Sequence, residues 1–135
     1  MTIDKKIKDL KIILPDAKAP VGSYLASKIS GKYLYISGQI SADDKGQLIQ
    51  GKLGKDLNTI QGYEAAKRCG LSLIAQAKKA CNNDLSKIKS CLKLTGFVNS
   101  TDNYTEQPQV INGASEVITK ILDELIFLSK SDWYN

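Results

Sequence analysis

Apolar residues in this chain recur at three different spacings, and the spacing predicts the elements. In the first segment Ile3, Ile7 and Leu10 fall at i, i+4 and i+7, the repeat of a short amphipathic helix. Pro15 and Pro20 then impose an extended connection. Two strand-like runs, near 23–29 and 32–40, flank Ser30-Gly31, where glycine suits the positive φ of a tight hairpin turn. Within the second run Tyr33 and Tyr35 alternate with Leu34 and Ile36, which assigns the tyrosines to the opposite sheet face. A further turn signal, Asp43-Asp44-Lys45-Gly46, leads into "QLIQGKL" as a third strand, and Gly51 and Gly54 loosen the chain after it.

From Leu57 to about Asn82 the period becomes helical. Tyr63, Ala66, Gly70, Leu73, Ile74, Ala77 and Cys81 share one stripe, and Asn58 with Gln61 has the spacing of a capping box. Arg68 falls off that stripe, so its default role is a solvated surface residue. "NNDL" breaks the helix. "IKSCLKLTGFVNS" sets Leu92 and Leu94 against Lys89 and Lys93, the alternation of a half-buried strand. After the polar loop "TDNYTEQ", Pro108 suits the first turn of a second long helix carried by Val110, Ile111, Ala114, Ile118, Ile121, Leu122 and Leu125. The order is β-β-β-α-β-α, an α+β domain in which two helices cover a sheet. One more strand would ordinarily follow the second helix, and only "LIFLS" is available for it.

Composition narrows the chemistry. The chain has no His, which removes imidazole proton transfer and every His-based metal site. Cys69, Cys81 and Cys91 form no C-x-x-C pair; with no secretory signal they are read as reduced thiols, Cys69 and Cys81 as helix filler. No metal and no cofactor is expected. A net charge of +5 comes from lysines spread along the sequence, so a solvated surface outweighs a nucleic-acid footprint. No apolar run is long enough to cross a bilayer and the N-terminus lacks a secretory pattern, which reads as a cytoplasmic chain without a membrane partner.

Two stretches, "GSYLASKISGKYLYISGQIS" and "KLTGFVNSTDNYTEQPQVINGAS", resemble the Rid family, which is YjgF-like and also described as endoribonuclease L-PSP, and within it the chorismate mutase-like subgroup. "GKLGKDLNTIQGYEAAKRC" between them is similar to the start of the same subgroup's first long helix. The resemblance runs from about residue 14 to 124, so residues 1–124 are expected to form the domain and 125–135 a divergent tail. It implies a chorismate mutase-like fold assembled as a homotrimer, with ligand clefts between subunits. Active members hydrolyse enamines or imines such as 2-aminoacrylate to a keto acid and ammonia; others are linked to RNA cleavage.

By the resemblance Tyr24 is a cleft-lining tyrosine, Ser37, Gly38 and Gln39 form the cleft floor, and the Asn112 amide approaches from a helix. The implied ligand is a small carboxylate or imine metabolite. Active deaminases hold the carboxylate with an arginine beyond the second helix and place water with a glutamate on the last strand. "LIFLSKSDWYN" contains neither, so this family strand is expected to be missing and deamination weak or lost. A lysine does not reproduce the guanidinium fork. Lys130 is the tail's one cation, and Trp133-Tyr134 could anchor a neighbouring subunit. No catalytic residue is assigned.

Overall fold

A computed structural model describes residues 2–122 of the chain. "LIFLS", Glu124, Leu125, Lys130 and Trp133-Tyr134 lie outside the described residues. The elements are helix α1 (Ile3–Asp9), strands β1 (Ser27–Ser30) and β2 (Tyr33–Ile36), helix α2 (Thr59–Ala80), a single 3-10 turn (Leu85–Lys87) and helix α3 (Gln107–Leu122).

The first two helices start where their sequence supplies a cap. Thr2 accepts from the Lys5 N–H at the head of α1, and Ile3 and Ile7 turn inward onto the core. At α2 the Asn58 carboxamide accepts from the Gln61 N–H while the Gln61 side chain accepts from the Asn58 N–H, each at 2.9 Å. This reciprocal cap satisfies two amides that a helix start leaves unpaired, a contribution of about 1 kcal/mol. Pro108 is the second residue of α3, where a missing N–H costs nothing.

The two long helices run side by side in the same direction, with Gly62 against Val110 and Gly70 against Ala114 and Val117. Gly113 makes the tightest approach: a Cβ there would stand 2.0 Å from the Tyr63 carbonyl oxygen. Behind this seam Leu71, Ile74, Leu85, Val117, Ile118 and Ile121 form the main core, with Leu85 and Ile121 fully enclosed. Of the predicted α2 stripe, Ala66, Gly70, Ile74, Ala77 and Cys81 are buried, whereas Tyr63 and Leu73 are half-buried. Gln76 is buried too, an unpredicted polar residue whose amide donates to the Lys18 carbonyl at 2.8 Å and ties the segment after Pro15 to the helix.

The sheet is shorter than the alternation predicts. β1 and β2 pair antiparallel, Ser27 opposite Ile36 through Ser30 opposite Tyr33, and Gly31 takes the turn at φ 60°. "QLIQGKL" makes single bridges instead of a ladder. Leu48 pairs antiparallel with Ala42, and Leu53 pairs parallel with Ser100. Gly51 at φ 145° and Gly54 at φ 88° turn the backbone on both sides of Leu53, which ends any regular strand there. The stretch from Leu94 to Ser100 alternates in burial as predicted, but among the described residues its one bridge is from Ser100 to Leu53, outside the sheet. Leu92, expected on the inner side with Leu94, is 48% exposed.

Leu34 and Ile36 face the helices and core, while Tyr33 and Tyr35 stand on the open face at 55% and 63% exposure. The architecture is thus α+β, a small two-stranded antiparallel sheet covered by two parallel helices.

Candidate functional site

The hairpin draws four of the five expected residues together. As β2 ends, the Ser37 N–H donates to the Ala26 carbonyl at 3.0 Å and the Ser37 hydroxyl to the Leu25 carbonyl. These bonds clamp the strand exit against the segment that leads into β1. Tyr24 immediately precedes this clamp, half-exposed, with its N–H on the Gly22 carbonyl and its ring folded over Gly22. Gln39 turns its amide back onto the Ser37 and Gly38 carbonyls at 3.1 and 3.2 Å. The result is a polar corner with an aromatic rim at the open end of the hairpin.

Asn112 belongs to a different element. It is half-buried on α3, next to the Gly113 contact with α2, and is not part of the hairpin group. Phe97 of "TGFV", which the sequence did not single out as a site residue, is 95% exposed.

Arg68 is not the solvated arginine its off-stripe position suggests. Its side chain is half-buried and Nε donates to the Ala42 carbonyl at 2.9 Å. Arg68 thereby braces the 41–49 turn on α2, three residues beyond Gln39. Periodicity misses this because the partner is a backbone carbonyl 26 residues away.

A second polar knot also escaped sequence reading. The Thr59 hydroxyl sits 2.6 Å from the Tyr104 hydroxyl and donates to Glu106 at 3.1 Å, while the Gln107 amide donates to the Tyr104 carbonyl at 2.8 Å. It fastens the "TDNYTEQ" loop across the starts of both long helices. A carboxylate at two parallel helix N-termini is favourably placed against their positive ends.

Tyr63 on α2 donates its hydroxyl to Glu116 on α3. That bond to a carboxylate, reinforced by burial, pushes the Tyr63 hydroxyl up to about 12 from an ordinary 10.0. A folded-state pKa raised in this way adds stability below pH 10 that is lost as pH climbs through about 12. An alkaline titration should show a tyrosinate step near pH 12 that Tyr63→Phe removes. Persistence of the step in that variant would assign it to another tyrosine.

The cysteines stay free. Burial pushes the Cys69 and Cys91 thiols up, which keeps them protonated and poorly nucleophilic. Among the described residues no group of three or more Cys, Asp or Glu is arranged to hold a metal ion, and no helix is long and apolar enough to cross a membrane.

Helices on one side of a short sheet with a polar corner at the hairpin mouth define an α+β protein of the chorismate mutase-like type. The chain belongs to the family described as "YjgF/chorismate mutase-like, putative endoribonuclease", which it matches over residues 5–135. It is 39% identical over 118 residues to the protein TCP17 of Trypanosoma cruzi, an alignment covering 87% of this chain and 73% of that one.

Among solved structures it resembles Atu1372 of Agrobacterium tumefaciens, a protein of unknown function. That pair is 39% identical with a TM-score of 0.79, covering 91% of this chain and 74% of the other. It also resembles a structure described as a putative endoribonuclease from Shewanella oneidensis, at 30% identity and a TM-score of 0.81. Here 93% of this chain and 85% of the other are covered.

Proposed function

We propose that the chain binds small carboxylate or imine metabolites in clefts formed between the subunits of a homotrimer. In this reading the conversion of an imine and water to a keto acid and ammonia is slow or absent. The observation that carries it is the clamped corner of Tyr24, Ser37, Gly38 and Gln39, positioned by main-chain bonds and left open at its rim. One subunit supplies the corner; a neighbour supplies the wall that encloses the ligand, and Asn112 approaches from its helix. The exposed Tyr33, Tyr35 and Phe97 are the surface that a neighbour covers.

Weak catalysis follows from the cation inventory. Holding a carboxylate in register for hydrolysis calls for a guanidinium fork, and Arg68, the one arginine of the sequence, is anchored through Nε to the Ala42 carbonyl on the 41–49 turn, with only its terminal nitrogens left to donate. Freshly generated 2-aminoacrylate gives the test. Pyruvate release is expected to match the protein-free rate, while pyruvate itself binds and Ser37→Ala weakens that binding. Rapid protein-dependent pyruvate release would refute the slow-catalysis reading.

A second reading, RNA cleavage, is favoured by the description of the Shewanella neighbour as a putative endoribonuclease. It must operate without histidine, since the sequence contains none.

A further inference from the structure

The polar corner turns the donors of its floor inward. The Ser37 N–H and hydroxyl and the Gln39 side-chain amide all donate to protein carbonyls. A ligand carboxylate at this corner therefore calls for a charge from outside the clamp, and the hairpin carries one in register.

Lys28 of β1 stands directly across from Tyr35 of β2. Cross-strand partners share a face, so Lys28 lies on the open side with Tyr35, away from the core that Leu34 and Ile36 meet. The bond from the Ser37 N–H to Ala26 carries the pairing one step past β2, and alternation returns Ser37 to the face of Tyr35. Lys28 and Ser37 are then diagonal neighbours, about 7–8 Å apart at the backbone, a gap that the flexible stem of a lysine bridges.

The hairpin itself carries no acid to compete. From residue 17 to 42 the sequence holds Lys18, Lys28 and Lys32 and no Asp or Glu. Lys28 is exposed, and no acid of the described residues pairs with it. When a neighbouring subunit covers Tyr35, Lys28 enters the same contact, and an ammonium taken out of water calls for a counter-charge.

We propose that Lys28 supplies the positive charge for the ligand carboxylate, its ammonium lying against the anion above the floor of Ser37, Gly38 and Gln39. The inference rests on the ligand-cleft reading given under the proposed function. An ammonium is a point charge without the guanidinium fork, so it holds the anion and leaves its orientation loose. That matches a protein that binds a keto acid while imine hydrolysis stays slow.

Calorimetric titration of the full chain with pyruvate and with pyruvamide, its uncharged amide, tests the assignment. The parent should bind pyruvate at least about tenfold more tightly than pyruvamide, the worth of one charge-assisted contact. Lys28→Gln should bind the two compounds alike, whereas Lys28→Arg should keep the preference. Lys32→Gln, changed at the turn end of the hairpin, should behave as the parent does. A Lys28→Gln protein that still prefers pyruvate would overturn the role of Lys28 and leave the cleft reading standing, as would a parent that binds both compounds equally. A parent that binds neither would overturn the two readings together.

Discussion

Gly113→Ala is expected to be the most damaging single methyl that can be added to this protein. The new carbon would lie 2.0 Å from the Tyr63 carbonyl oxygen and 3.0 Å from the Lys67 amide nitrogen. Both are backbone atoms in the middle of a 22-residue helix, so neither can rotate away. Relief requires α2 and α3 to separate, which opens the seam through Ala66, Gly70, Val110, Ala114 and Val117 along its length. Overpacking of this kind costs about 3 kcal/mol, a large share of a stability margin of roughly 5–15 kcal/mol. The expected result is a melting midpoint lowered by about 10 °C or more, or a chain recovered only unfolded. Gly31→Ala is the control, since nothing lies within 4 Å of its added carbon and only the positive φ of 60° resists it. If both variants melt alike, the helix seam is not the tight contact described.

Much of this seam was legible in the sequence, though not its tightest point. Helical spacing placed Ala66, Gly70, Ile74 and Ala77 inward, and Asn58 with Gln61 announced the start of α2, because those signals are local. Gly113 shows no such signal. Its need for a bare Cα comes from a helix 50 residues earlier passing within contact. Gln76 and Arg68 were hidden for the same reason. Each is explained by one carbonyl, of Lys18 and Ala42, brought near only by folding.

The strands were over-predicted where alternation stood alone. Residues 47–53 and 88–100 carry the right pattern, yet a strand also needs a partner in register. Glycines at positive φ around Leu53 prevent one. For the site, family resemblance named Tyr24 and Ser37 together. Composition and spacing alone offered no reason to choose them, since their proximity rests on the bonds from Ser37 to Leu25 and Ala26.

The second large effect concerns assembly. Tyr35 and Phe97 expose 63% and 95% of their surface, an unusual state for residues whose burial is worth about 2 kcal/mol or more each. In the proposed trimer they are covered by neighbouring subunits. Tyr35→Glu combined with Phe97→Glu should therefore take the solution mass from three times 14.8 kDa to a single chain. Because both side chains are exposed in one chain, the variant should keep its helical signal. An unchanged mass would place the subunit contact elsewhere.

Native mass spectrometry in the presence of pyruvate tests the claim that the binding site is shared between chains. The parent should appear as a trimer carrying up to one pyruvate per chain, and the Tyr35→Glu, Phe97→Glu variant as a bare monomer. A monomer that takes up pyruvate as readily as the trimer, or a trimer that takes up none, would contradict the account.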